Sequence, residues 1–65
     1  MKITVNGVQE TTNAGSIAEF LKEKGIASAG VVVEHNHQIV KKNHWGETEI
    51  SENDHLEVLS FVGGG

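Results

Sequence analysis

In its first half the chain runs Ser16-Ile17-Ala18-Glu19-Phe20-Leu21-Lys22-Glu23-Lys24-Gly25. Ser16 and Glu19 have the spacing of a capping box, in which a hydroxyl and a carboxylate satisfy backbone N–H groups at a helix start. Ile17, Phe20 and Leu21 follow at i, i+3 and i+4 and fall on one stripe of a helix. Lys22 and Lys24 suit the negative end of the helix dipole, and Gly25 offers a left-handed stop. The spacing predicts one short amphipathic helix from Ile17 to about Lys24. Its single apolar stripe must be buried against something else in the chain.

The segments on either side supply that surface. Upstream, Lys2 to Asn6 alternates, with Ile3 and Val5 on one side, and Asn6-Gly7 is the pair a tight hairpin turn prefers. Val8 to Thr12 reads as the return strand. Downstream, Val31-Val32-Val33 reads as a strand covered on both faces, because three adjacent apolar residues cannot all point one way. It runs to about Asn36, and Ile39-Val40 resumes extended structure after a break near Asn36-His37. Trp45 is expected to plug one end of the core, and Thr48 to Ile50 to form a short strand. Ser51-Glu52-Asn53-Asp54 has the composition of a turn. His55 to Val62 reads as the last strand, with Leu56 and Val58 facing one side and Leu59 and Phe61 the other. The order β-β-α-β-(β)-β predicts an α+β fold, with one main helix packed on one face of a mixed four- to five-stranded sheet. Placing the terminal strands side by side in the centre makes it a β-grasp. Residues 1–62 are expected to form that single domain and residues 63–65 a flexible glycine tail.

Composition narrows the function. A chain of 65 residues allows one small core and leaves little room for an enclosed active site. The cysteine count is zero, which excludes disulfides, thiolate metal sites and a cysteine nucleophile or persulfide. Nine acidic and five basic residues give a formal charge of −4. That balance has none of the clustered Lys and Arg that phosphate backbones require, so no nucleic-acid partner is expected. No apolar run approaches the roughly 18 residues that span a bilayer. Met1 opens directly on Lys2-Ile3-Thr4-Val5 without the regions of a signal peptide. A cytoplasmic domain with no membrane association is the expectation.

The sequence ends Phe61-Val62-Gly63-Gly64-Gly65. Residues without a Cβ can lie flat in a narrow channel and adopt any φ, so such a tail can deliver a terminal carboxylate into another protein's active site. A carboxylate is a poor electrophile, and acyl chemistry on it requires activation, for which an acyl-adenylate is one route. The plainer reading is a frayed, inert end. Four histidines invite a metal reading as well. On a strand, His35 and His37 would share a face, but zinc needs three or four ligands, and His44 would have to fold back with Glu34 or Glu47. Solvated side chains at a turn account for the pattern, and no metal site is expected.

The length, the Gly64-Gly65 end directly after a strand, the helix opening Ala14-Gly15-Ser16-Ile17 and the lack of cysteine resemble the ThiS family of sulfur carriers, which are ubiquitin-like β-grasp proteins. The likeness runs through Lys2-Ile3-Thr4-Val5-Asn6-Gly7, Val32-Val33-Glu34, Ile39-Val40, Trp45 and Asp54-His55-Leu56-Glu57-Val58 to Gly65, essentially the whole chain. Two positions depart from it. The family often has Pro-Arg where this chain has Lys41-Lys42, and Asn-Gly where it has Asn36-His37.

The resemblance implies a protein substrate rather than an enzyme, with no cofactor of its own. A ThiF-type adenylyltransferase would use ATP to adenylate the Gly65 carboxylate. Sulfur originating from a cysteine desulfurase would displace AMP, and the resulting thiocarboxylate would serve a ThiG-type thiazole synthase in thiamin biosynthesis. Gly63, Gly64 and Gly65 would enter the partner's active site. Apart from the resemblance, alternation puts Leu59 and Phe61 on the open side of the sheet beside the tail, where exposed apolar residues commonly mark a protein contact, and they are the expected partner-docking surface. Three alternatives stand beside this reading: a sulfur carrier for molybdopterin synthesis, a ubiquitin-like modifier, and, from a different class, a protein-binding module with an inert tail.

Overall fold

The computed structural model describes residues 1–61, so the last position of the expected final strand, Val62, and the tail over 63–65 lie outside the described residues. Strand β1 spans Lys2–Val5 and β2 spans Val8–Thr11. Helix α1 spans Ile17–Glu23, followed by β3 at Val31–His35, β4 at Gln38–Val40, a turn of 3-10 helix at Lys42–His44, and β5 at His55–Ser60. The five strands form one sheet in the order β2-β1-β5-β3-β4. β1 and β5 run parallel at its centre, and the other neighbours are antiparallel. This is the expected β-grasp arrangement.

Both hairpins turn on residue pairs in the left-handed region. Asn6 and Gly7 have φ of 49° and 82°, and Asn36 and His37 have φ of 50° and 73°. Asn visits this region readily and Gly without cost, whereas His37 occupies it against its Cβ.

α1 is capped at both ends. The Glu19 N–H donates to the Ser16 hydroxyl at 3.2 Å. Among the described residues the carboxylate of Glu19 does not return the bond, so half of the expected capping box forms. The N–H groups of Ile17 and Ala18 instead donate to the carbonyls of Thr48 and Trp45, both at 3.1 Å. The segment after β4 therefore serves as a cap for the helix start. At the other end Lys24 is the cap residue and Gly25 has φ 72°. Ile26 N–H reaches Leu21 C=O at 2.9 Å and Gly25 N–H reaches Lys22 C=O at 3.1 Å, which together make a Schellman motif.

The helix lies on one face of the sheet. Ile17, Phe20 and Leu21 are buried with Ile3 and Val5 of β1, Val33 of β3 and Leu56 of β5, and Ala14, Trp45 and Ile50 close the cluster. Trp45 donates its indole N–H to Val40 C=O at 2.9 Å, which gives its one polar atom a partner. Two expectations are corrected. Val31-Val32-Val33 is not covered on both faces: Val33 is buried but Val32 is only partly so, because α1 packs on one side and no element covers the other among the described residues. Thr48 to Ile50 is not a strand but a single antiparallel bridge between Ser16 and Glu49.

Candidate functional site

β5 is the last described strand, and its anchors fix the end of the chain as far as Phe61. Along one side it pairs with β3 from Val31↔Ser60 to His35↔Leu56. Along the other it pairs with β1 only at Thr4↔His55 and Val5↔Leu56. Beyond that point the side chain of Asn6 takes over, accepting from Val58 N–H at 2.8 Å and donating to Val58 C=O at 3.2 Å. Phe61 N–H donates to Gly30 C=O at 2.7 Å, the last described anchor before the tail.

Alternation along β5 puts Leu56 and Val58 on the helix side, where Leu56 is 1% exposed and Val58 packs against the core. Leu59 and Phe61 stand on the open side and are 44% and 69% exposed. The register places Val32 opposite Leu59 and Ile39 opposite Glu34, so Ile39, which is 68% exposed, shares that face. The open side thus gathers apolar side chains from three strands beside the exit of the chain, a feature that commonly marks a protein contact. Gly63, Gly64 and Gly65, the residues expected to enter a partner, lie outside the described residues.

His35, His37 and His44 are not gathered into a ligand set. His35 ends β3 on the helix side, His37 sits in the turn with its ring 6.3 Å from that of His55, and His44 ends the 3-10 turn. No group of three or more candidate metal ligands occurs among the described residues.

His35 instead belongs to a polar cluster that the sequence reading did not find. Its Nε2 lies 2.7 Å from Asp54 Oδ2, which also accepts from Ser51 N–H at 2.8 Å, while Asn36 Nδ2 donates to Asp54 Oδ1 at 3.1 Å. Burial pushes the Asp54 carboxyl up, but the Ser51 amide, the His35 and Asn36 hydrogen bonds and the nearby imidazole outweigh it and hold the pKa below its ordinary value. Asn36 also accepts from His55 N–H at 2.9 Å and donates its own N–H to His55 C=O at 2.8 Å. The cluster pins the start of β5 to the end of β3. Its one local signal was an aspartate three residues after Ser51, the spacing at which a carboxylate can reach back to a backbone N–H.

A two-hairpin sheet grasping one helix, with an apolar open face beside its last strand, defines a ubiquitin-like β-grasp protein. The ThiS family model matches residues 3–65. The sulfur carrier protein ThiS of Bacillus subtilis is 32% identical over 65 residues, covering 97% of this chain and 98% of that protein. The crystal structure of the thiamine biosynthesis protein ThiS from Geobacter metallireducens superposes with a TM-score of 0.82 at 35% identity, covering 100% of both chains. A thiazole synthase of Paramagnetospirillum magneticum is 36% identical over 66 residues, covering 100% of this chain but 20% of that enzyme. The chain thus spans about a fifth of the length of the thiazole synthases it matches. It belongs to the ThiS family.

Proposed function

We propose that this chain is a sulfur carrier in thiamin biosynthesis whose working group is the Gly65 carboxylate. The observation that carries the reading is the match to a sulfur carrier over nearly the whole of both chains, with the family model extending through Gly65. In the proposed cycle the carboxylate attacks the α-phosphate of ATP in a ThiF-type adenylyltransferase, and pyrophosphate leaves. The terminal sulfur of a persulfide, charged by a cysteine desulfurase, then displaces AMP. A thiol cleaves the resulting acyl disulfide, and the thiocarboxylate remains on Gly65. A ThiG-type thiazole synthase takes that sulfur into the thiazole ring.

Three features support these steps. The chain has no cysteine, so it can hold sulfur at its terminus but not as a persulfide. Its last residues have no Cβ, which suits entry into a narrow channel. The match to a stretch of two larger thiazole synthases supports a synthase as recipient, because joining two modules in one polypeptide raises the effective concentration of each for the other. The chain needs no general base of its own, since activation takes place in the partner's site, and we read it as a carrier rather than a catalyst.

The test is reconstituted thiazole formation. The full chain, with the adenylating enzyme, desulfurase, ATP, cysteine and synthase, supports product, and the chain lacking Gly64-Gly65 supports none. Equal product from both would remove the carrier role.

A further inference from the structure

The open face of the sheet holds a charge arrangement that the carrier role alone does not require. The β3–β5 register sets Glu34 directly opposite Glu57. Both alternate with helix-side neighbours, Val33 and Val58, so both carboxylates stand on the open side. Like charges facing each other across strands oppose pairing. Neither is neutralised: the ion pairs among the described residues are Lys24–Glu10 and His35–Asp54, so Lys2 of β1 and Lys41 after β4 pair with neither glutamate. The apolar residues of the same face adjoin the acids, with Ile39 opposite Glu34 on β4 and Val32 opposite Leu59 one step along.

We propose that Glu34 and Glu57 are the charged half of a docking surface whose occupant is the adenylating partner, which presents an arginine or lysine beside an apolar patch. The assignment rests on the carrier reading above. Charge complementarity gives the chemistry of the occupant: two carboxylates outside any ion pair, flanked by Val32, Leu59, Ile39 and Phe61, fit a guanidinium or ammonium seated in apolar surroundings, and the adenylating partner is the one the carrier reading requires to hold the chain while Gly65 is activated. A second copy of this chain fits poorly, because stacking two open faces would bring four carboxylates together. The surface is also continuous with β5, so a partner seated there lies beside the exit of the chain toward Gly65.

The discriminating property is that removal of the charges should move stability and binding in opposite directions. In Glu34→Gln, Glu57→Gln and the double variant, the urea midpoint should rise. The Kd for the adenylating enzyme should weaken, on the order of tenfold for the double variant, mainly through a slower association rate. The dependence of Kd on salt should flatten, and Glu57→Lys should bind more weakly than Glu57→Gln. A raised midpoint with unchanged Kd and salt dependence overturns the proposal. So does self-association of the double variant with unchanged Kd, which would assign the pair to keeping copies apart. The carrier reading fails separately, if wild-type Gly65 is never loaded.

Discussion

Asn6 grips Val58 by both of its backbone groups, and this lets a four-residue β1 control the far half of β5. The side-chain amide accepts from the Val58 N–H and donates to the Val58 C=O, while the Asn6 N–H donates to Leu56 C=O at 2.9 Å. A turn residue at φ 49° thereby extends the parallel ladder toward Leu59 and Phe61. The same device recurs at the other hairpin, where Asn36 holds His55. Asn6→Gly keeps the turn but loses the side chain, and should cost about 1–2 kcal/mol for two modest hydrogen bonds. Urea denaturation measures the cost, and hydrogen exchange at the Val58 amide should accelerate. Unchanged exchange there would show that β5 does not depend on Asn6.

Asp54 should contribute an acid limb to the stability curve. Its folded pKa is depressed below the unfolded value, so its stabilisation is complete above about pH 4 and is lost as pH falls through the lower folded value. In Asp54→Asn the stability should drop by about 1–3 kcal/mol at neutral pH, because a charge-assisted acceptor for Ser51 and His35 is lost. Its stability should also fall less steeply than wild type as the pH drops below about 4. Denaturation at a series of pH values checks both.

His37 bears a left-handed φ of 73° that its side chain opposes. His37→Gly removes that opposition at the second turn position and should raise stability by about 0.5–1 kcal/mol, after allowance for glycine's greater freedom in the unfolded chain and the lost stack on His55. A thermal midpoint that falls would mean that the stack contributes more than the backbone strain costs.

Leu59 and Phe61 lie on the open face, so their loss should be felt by partners and not by the fold. Leu59→Ser and Phe61→Ser should change stability by no more than about 0.5 kcal/mol. The Kd for the adenylating enzyme should weaken by about tenfold or more for Phe61→Ser, the more exposed of the two. Loss of stability in step with loss of binding would place these side chains in the core instead.

The parts of the fold that were legible in the sequence are those written locally. The Ser16 cap, the Ile17-Phe20-Leu21 stripe, the Gly25 stop and the Asn6-Gly7 turn each act within a few residues. Alternation along β5 likewise separated Leu56 from Leu59, since a strand's faces follow from its period alone. What escaped depends on partners distant in the chain. The Asn6–Val58 grip spans 52 positions and the His35–Asp54 pair 19, and neither leaves a local pattern. Val31-Val32-Val33 misled because three adjacent valines carry no alternation, so one covered face and two look the same in sequence. Thr48 to Ile50 looked like a strand because its residues favour extended structure, yet its carbonyl at Thr48 serves the helix start rather than a sheet neighbour.

Whether sulfur is carried at Gly65 can be read from the mass of the C-terminal peptide. After incubation with ATP, a ThiF-type enzyme, a desulfurase and cysteine, the peptide ending at Gly65 should gain the mass difference between sulfur and oxygen. Oxidation of Met1 produces nearly the same shift, so the gain must be located at the Gly65 end. A sulfur-bearing Gly65 is expected of a carrier. An unmodified Gly65 in the presence of active partners would contradict that role.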